Sequence, residues 1–425
     1  MGELPPFAGS KDTFIEVAHA QLRKHKQGAE GDVFLSQKNP ADGRVITALS
    51  DGLGSGIKAG VLATLTATMA TKFIASDIPI KKAAQIIMNT LPVCKERGIS
   101  YATFTLVDIE PNSTVRVIEY DNPPYILIRK QTFVEPIKEF TVIERKNKKT
   151  APKKEAVVQY SQYEALPGDR LVFFSDGVTQ AGMGSVHYPF GWGYNNVQNY
   201  ILEKIEKNPE ISARDLAKAV VNQALQIDSF KAKDDITCGI IYSRKPRDLL
   251  VLTGPPLYPE RDADLSRLFT SFDGKKVISG GTTANIIARE TGKKISVSLK
   301  NLDPKIPPES VMDGADLVTE GIITMGSVSD ILERGKNNEA SRVNAAARVV
   351  ELFLDSDSAK VNAAVRVVEL FLDSDRILFV VGTKINEAHQ DPNMPVELEI
   401  RRNIIKKTAN LLQEKYLKEV KIQYI

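Results

Sequence analysis

The sequence predicts an α+β protein: a two-sheet antiparallel β-sandwich flanked by helices, followed by a smaller α/β domain. Three observations support this prediction. Strand patterns surround two early helical patterns, a second pair of helices precedes another strand, and beyond residue 247 strands and helices alternate. A chain of 425 residues also has the length of two or three domains.

The first half begins with strands over residues 13–50. Two helices are predicted at 56–76 and 80–95, because apolar residues recur there at helical spacing. A strand pattern resumes at 101–107. Residues 115–120 and 125–129 then read as the two strands of a hairpin across Asn122-Pro123-Pro124.

Further along, residues 170–174 form an apolar run typical of a buried strand. Helical patterns follow at 195–205 and 211–227, and a last apolar strand covers 236–242. A polar, proline-containing break at 243–248 predicts the domain boundary, so we assign residues 1–247 to the first domain and 248–425 to the second.

The second domain shows strands and helices in alternation. Predicted strands are 249–252, 276–279 and 377–382, and predicted helices are 261–271, 284–291 and 396–416. The segment Gly280-Gly281-Thr282-Thr283 joins a strand to a helix, where it could cradle an anion or form an ordinary turn. We expect Asp313, Asp316 and Glu320 to lie on the same face.

A tandem duplication interrupts this domain. Residues 342–357 recur as residues 360–375 with two differences in sixteen positions. A solenoid needs at least three repeats, so we interpret the pair as a local duplication of one helix. The Asp-Ser-Asp end of each copy favours two helices over one continuous rod.

Composition excludes several classes of protein. The net charge is only +3, and the basic run at 145–154 contains no aromatic residue, so we expect no nucleic-acid partner. Two cysteines, Cys94 and Cys238, are too few for a disulfide scaffold. The first residues do not resemble a signal peptide and no long apolar stretch is present, so we expect a cytoplasmic protein with no membrane partner.

Aspartates at strand ends carry the chemical signal. Asp32 follows a glycine, Asp51 and Asp176 each stand in Ser-Asp-Gly directly after an apolar strand, and Asp234 begins Asp-Asp-Ile-Thr directly before one. The end of one strand and the start of an antiparallel neighbour lie at the same sheet edge, so these carboxylates can converge. Converging carboxylates repel one another unless a cation neutralises them, and oxygen ligands suit magnesium or manganese.

Three segments resemble a known family. Residues 31–59 (GDVFLSQKNPADGRVITALSDGLGSGIKA), 170–177 (RLVFFSDG) and 234–241 (DDITCGII) are similar to the type 2C metal-dependent (PPM) serine/threonine phosphatases, in particular the stage II sporulation protein E-like branch. The resemblance covers roughly residues 13–243. It implies a bacterial signalling enzyme that hydrolyses phosphomonoesters of phosphoproteins with water activated by two divalent metal ions, manganese or magnesium.

The same resemblance implies the metal ligands. Asp51 would bridge the two ions, and the carbonyl of Gly52 would bind one of them. Asp176 and Asp234 would hold the other ion, and Asp32 would complete the site directly or through water. Asp235 matches a less demanding position and is not assigned.

The resemblance leaves the catalytic acid unassigned. Animal members carry a histidine after the Asp-Gly turn, but this chain has Leu53-Gly54-Ser55-Gly56 there, as the sporulation branch does. No protein nucleophile is expected, and Lys58 is a candidate phosphate contact or a solvated helix residue. The contrasting hypothesis is a pseudophosphatase that binds a phosphoprotein or nucleotide. We expect residues 248–425 to bind a ligand or a partner.

Overall fold

The computed structural model describes residues 13–39, 42–54, 56–91, 102–143, 156–297, 310–334, 363–384 and 397–425. These residues fall into two compact units. The first is Ile15–Arg244, and the second contains the described residues from Lys245 onward. The basic run at 145–154, Cys94 and the first copy of the duplication, 342–357, lie outside the described residues.

The first unit contains eleven strands and five helices among its described residues. In chain order they are β1 (Phe14–Leu22), β2 (Asp32–Lys38), β3 (Val45–Gly52), α1 (Ile57–Ala75), α2 (Ile80–Thr90), β4 (Ala102–Ile109), β5 (Thr114–Tyr120), β6 (Ile126–Arg129), β7 (Thr132–Val134), β8 (Lys138–Ile143), β9 (Ala156–Glu164), β10 (Arg170–Phe174), α3 (Asp176–Thr179), α4 (Tyr194–Lys207), α5 (Ala213–Ile227) and β11 (Ile236–Arg244).

The strands of this unit form two antiparallel sheets. One sheet has the order β2-β3-β4-β5-β9-β8 and the other β1-β11-β10-β6-β7. Apolar side chains from both sheets, such as Leu49 and Phe173, pack between them. Helices α1 and α2 cover the outer face of the first sheet, and α4 and α5 cover that of the second. This is the predicted sandwich flanked by helices, and it explains why strands such as β3 are buried on both faces.

One local prediction was wrong. Residues 115–120 and 125–129 do not form a hairpin, because β5 pairs with β4 and β9 whereas β6 pairs with β10 and β7 in the other sheet. The connecting Asn122-Pro123-Pro124 carries the chain from one sheet to the other. Two prolines lack the N–H groups that a hairpin ladder needs, and the Asn122 side chain bonds to Thr103 and Thr105.

Helix α1 is long and apolar enough to cross a membrane by length and composition, and it alone among the described helices passes that test. Helices of soluble cores also pass it. Here a stripe of small residues, including Ala63, Ala67 and Ala70, is fully buried in the layer between α1, α2 and the first sheet. These contacts give α1 a packing role within the unit.

The second unit is a doubly wound α/β structure. Its described elements are β12 (Asp248–Thr253), α6 (Asp262–Ser271), β13 (Lys275–Ser279), α7 (Gly281–Thr291), β14 (Ile295–Val297), β15 (Ser310–Met312), β16 (Leu317–Thr319), α8 (Ile322–Arg334), α9 (Ala363–Asp373), β17 (Arg376–Val381), α10 (Glu397–Glu414) and β18 (Glu419–Tyr424), with a short 3₁₀ turn at Pro259–Arg261. The sheet order is β14-β15-β16-β13-β12-β17-β18. Helices α8, α9 and α10 contribute to the core on one face, and α6 and α7 to the core on the other.

The second copy of the duplication forms α9 and leads directly into β17. Its apolar face is buried, with Val365, Val368 and Phe371 in the core. The Asp-Ser-Asp end is also used, because the Oδ2 atom of buried Asp375 accepts a hydrogen bond of 2.7 Å from the Arg247 backbone N–H.

The acidic residues around β16 do not share one face. Asp316 precedes β16, and its Oδ2 atom accepts a 2.7 Å hydrogen bond from the backbone N–H of Lys276 at the start of β13. Glu320 follows β16 and lies beyond the opposite edge. The expectation that Asp313, Asp316 and Glu320 lie together was therefore wrong, because a parallel strand separates residues before it from residues after it.

Candidate metal centre

Five aspartates meet where the two sheets of the first unit end. Asp32 begins β2 and stands directly opposite Asp51 near the end of β3. Asp176 is the first residue of α3, immediately beyond β10. Asp234 and Asp235 precede β11, the antiparallel neighbour of β10. Each sheet therefore brings acidic residues to the same end of the sandwich.

Asp32 is the most enclosed member of this cluster, at 2% exposure. Its Oδ2 atom accepts a 2.6 Å hydrogen bond from the Thr237 hydroxyl. Burial raises the pKa of Asp32 well above its usual range, and the charges of Asp235 and Asp176 raise it further, whereas hydrogen bonds from Thr237 and Ser175 lower it. The protein thus holds this carboxyl group in place at a cost to its ionised form.

Asp51 lies at the centre of the cluster. Burial raises its pKa well above the usual range, and the next causes in size are the charges of Asp32, Asp176 and Asp234. The pKa of Asp176 is also raised by burial and by Asp234, while hydrogen bonds from Asp51 and Gln180 lower it. Asp51 at the end of β3 and Asp176 just beyond β10 are therefore close enough to affect each other's ionisation.

Gly52 allows α1 to approach the cluster. A side chain there would place its first carbon 2.1 Å from the carbonyl oxygen of Ala59, so only glycine fits. The N–H of Gly52 donates a 3.0 Å hydrogen bond to the carbonyl of Gly31, which connects the segment before Asp32 to the end of β3. Lys58 is exposed on the first turn of the same helix.

Asp235 has a distinct position that the sequence interpretation missed. Its two carboxylate oxygens accept 3.0 Å hydrogen bonds from the backbone N–H groups of Lys24 and Gly31. It therefore fixes both ends of the loop that leads into Asp32. The doubled aspartate was the available signal, because an Asp directly before a strand commonly binds backbone N–H groups.

Ser175 and Thr237 connect the two halves of the site. The Ser175 N–H donates to the Thr237 carbonyl at 3.0 Å, and the Thr237 N–H donates to the Ser175 hydroxyl at 3.1 Å. Both residues stand within the Ser-Asp-Gly and Asp-Asp-Ile-Thr motifs. Their role in orienting Asp32 was not predicted.

The electrostatics of the cluster favour a cation. Lys24 Nζ lies 3.6 Å from Asp234 Oδ1, and one ammonium group cannot balance five carboxylates. As the side chains stand, no group of three Asp, Glu, His or Cys residues within the described ranges closes around one ion. The donor set nevertheless fits a hard divalent ion, because it consists of carboxylate oxygens gathered at one end of the sandwich.

Comparison with protein-family models gives a match to part of the first unit. Residues 41–243 match the family model described as stage II sporulation protein E. No curated protein matches the chain.

Three solved structures are similar to part of this chain. The phosphatase domain of the cell fate determinant SpoIIE from Bacillus subtilis is 18% identical, with 55% of this chain and 94% of that chain covered and a TM-score of 0.39. RsbX in complex with magnesium is 16% identical, with 53% and 94% covered and a TM-score of 0.36. The S. agalactiae serine/threonine phosphatase is 14% identical, with 54% and 99% covered and a TM-score of 0.39.

The family match includes Asp51, Asp176 and Asp234, which the fold brings together. The resemblance seen in the sequence is therefore confirmed for residues 41–243, which match the stage II sporulation protein E family model.

Proposed function

We propose that the first unit is a metal-dependent protein-serine/threonine phosphatase that hydrolyses phosphomonoesters. The observation that carries the proposal is the convergence of Asp32, Asp51 and Asp176 from two sheets, with carboxyl pKa values raised by burial and mutual repulsion. A fold that only needed stability would not gather like charges in this way. Clusters of perturbed carboxyl groups are typical of functional sites.

The carboxylates would hold two divalent ions, manganese or magnesium. Asp51, the Gly52 carbonyl, Asp176 and Asp234 would hold these ions. Asp32 would complete the set. Such ions, when bound, polarise a phosphoryl group and activate water for attack on phosphorus.

The chain's own residues orient this ligand set. Thr237 fixes one oxygen of Asp32 at 2.6 Å, and Gln180 Nε2 fixes one oxygen of Asp176 at 2.7 Å. Lys58, exposed on the first turn of α1, would contribute a positive charge to the incoming phosphate.

The proposed substrate is a phosphoserine or phosphothreonine protein in a bacterial cytoplasmic signalling pathway. The family assignment of residues 41–243 supports this class of substrate. The exposed setting of Lys58 also suits a macromolecular substrate, since an accessible cation can meet a phosphate carried on another protein's surface.

Hydrolysis of a phosphoserine peptide by the full chain tests the proposal. We expect activity with manganese or magnesium, none in excess chelator, and a loss of at least a hundredfold in Asp176→Asn. Asp42→Asn is the matched control, because Asp42 is an exposed carboxylate that bonds the Arg44 N–H away from the cluster. Full activity in chelator would contradict the metal requirement, and phosphopeptide binding without hydrolysis under every metal would identify a pseudophosphatase.

A further inference from the structure

The parallel strands of the second unit have an order that creates a crevice. Five of them run side by side as β16-β13-β12-β17-β18. The chain therefore starts in the centre, moves outward through β13 and β16, and then returns to the other side of β12 with β17. In open α/β sheets, ligands bind beyond the carboxyl ends of the strands near such a reversal.

A row of hydroxyl groups lies at the carboxyl ends of these strands, which we call the carboxyl edge of the sheet. The last residues of β12, β13 and β16 are Thr253, Ser279 and Thr319, which are register neighbours and therefore point to one face of the sheet. The hydroxyl oxygens of Ser279 and Thr319 are buried and have no hydrogen-bond partner among the described residues. Buried hydroxyls without partners are uncommon in folded proteins and call for an explanation.

Helix α7 begins at the same edge. Its eleven residues start at Gly281, it has no acidic residue in its first turn, and Gly280 precedes it at φ +132°, a conformation that favours glycine. The first N–H groups of a helix have no acceptor within the helix, so they are available to an anion.

Thr283 adds a side chain to this helix end. Its hydroxyl oxygen is fully buried, has no partner among the described residues, and would lie 3.4 Å from a first side-chain carbon built on Gly280. The hydroxyl is therefore aimed at the loop that starts the helix. This independent feature distinguishes α7 from a helix end that merely faces solvent.

A positive charge lies one strand away. Arg401 of α10 donates a 3.3 Å hydrogen bond from Nη1 to the carbonyl of Gly382, which follows β17. The same nitrogen lies 2.5 Å from where a side chain of Gly254, which follows β12, would begin. The guanidinium group therefore lies at the carboxyl ends of β12 and β17, where the strand order reverses. Neighbouring strands are about 4.8 Å apart, and β13, which leads into α7, is the other neighbour of β12.

We propose that this edge of the second unit binds the phosphate group of a small-molecule ligand. The helix amides and Thr283 would bind it from one side, and the guanidinium of Arg401 from the side of the reversal. Phosphate suits the helix amides, the Thr283 hydroxyl and the Arg401 guanidinium, because each of these groups can donate a hydrogen bond to its oxygens. The proposal concerns the second unit and does not depend on the phosphatase activity.

Titration calorimetry with inorganic phosphate tests the proposal on the full chain. The buffer contains chelator, so that phosphate cannot bind through metal ions in the first unit, and ionic strength is held constant with chloride. We expect saturable binding with one phosphate per chain. Adenosine monophosphate forms a second arm: tighter binding than phosphate would identify a nucleotide as the source, and equal binding would show recognition of the phosphate group alone.

Two substitutions at one position separate charge from shape. A side chain at Gly281 would meet nothing within 4 Å, so both variants fit. Gly281→Asp should weaken phosphate binding by about tenfold or more through repulsion, whereas Gly281→Ala should leave it within about twofold. Thr283→Val should weaken binding by about tenfold, since hydrogen bonds to charged groups are the strong ones. Absence of phosphate binding, or equal affinity in Gly281→Asp and Gly281→Ala, would overturn the proposal.

Discussion

Asp32 and Asp51 stand directly opposite each other on the antiparallel strands β2 and β3, in the first unit's larger sheet. Like charges at opposed positions destabilise a strand pair. Burial adds a desolvation cost, because it disfavours the ionised form of both carboxyl groups and so raises their pKa. The folded chain therefore carries a local electrostatic cost that a bound cation would offset.

The first prediction is that Asp51→Asn stabilises the metal-free protein while it abolishes hydrolysis. Removing one charge relieves repulsion from Asp32 and Asp176, and the amide fills the same space. We expect the free energy of unfolding in chelator to rise by about 1 kcal/mol, the scale of a typical single substitution. Urea denaturation in chelator measures this change.

Metal binding supplies the complementary measurement. A ligand that binds only the folded state raises stability in proportion to the logarithm of its concentration. Manganese should therefore raise the melting temperature of the unaltered chain more than that of Asp51→Asn. Equal stabilisation of both proteins by manganese would show that Asp51 is not a ligand.

The second prediction concerns Thr237, which orients Asp32 through a 2.6 Å hydrogen bond. Thr237→Val removes the hydroxyl without changing the size of the side chain. Losing a group that orients a ligand commonly lowers metal affinity by 10–100-fold, and we expect a reduction of about tenfold here. Hydrolysis rates measured against manganese concentration report the change as a shift in the metal requirement.

Thr47→Val is the matched control for that experiment. Thr47 is fully buried on β3, and its hydroxyl has no hydrogen-bond partner among the described residues. Replacing an unpartnered buried hydroxyl by a methyl group should leave stability unchanged or slightly increased. An unchanged metal requirement in Thr237→Val would contradict the orienting role of Thr237.

The third prediction separates Asp235 from its neighbour Asp234. Asp235→Ala leaves the N–H groups of Lys24 and Gly31 without their acceptor, so it should lower stability by about 1–3 kcal/mol. Asp234 is 42% exposed, and Asp234→Ala should change stability by less than about 1 kcal/mol while it abolishes hydrolysis. Denaturation and hydrolysis assays on both variants distinguish a positioning residue from a metal ligand. If Asp234→Ala lowered stability and Asp235→Ala only abolished hydrolysis, Asp234 would be the positioning residue and Asp235 the metal ligand.

The sequence could predict which aspartates converge, because each marks a strand end and antiparallel neighbours share an edge. It could not predict the partners of Asp32, since Thr237 reaches it across 205 positions of sequence. The prediction of a hairpin at 115–129 was wrong for a related reason. Turn residues and strand patterns are local, whereas the choice between two sheets depends on which apolar faces pack together.

Second-unit topology was predictable only in part. The alternation of strands and helices after residue 247 indicated an α/β domain. Strand order was not encoded locally, so the reversal between β12 and β17 and the alignment of Thr253 with Ser279 became visible only in the structure.

The fourth prediction concerns the duplicated segment. Copy two forms α9, which is joined to β17 and buried in the core of the second unit. Deleting residues 342–359 leaves this copy in place, so we expect a folded protein with unchanged hydrolysis. Deleting residues 358–375 instead removes the second copy and joins the first copy to Arg376. Asp357 then precedes β17 in place of Asp375.

The two deletion products differ at only two positions, because Arg342 and Ala347 of the first copy replace Lys360 and Val365 of the second. Val365 is 3% exposed, so alanine at this position should leave a small cavity. We therefore expect the second deletion to fold but to be less stable than the first by about 1–3 kcal/mol, the cost of losing buried methyl groups. Restoring valine at position 347 should recover this difference in a urea denaturation experiment. If both deletions unfold the protein, each copy is needed, and the duplication would then be an integral part of the second unit.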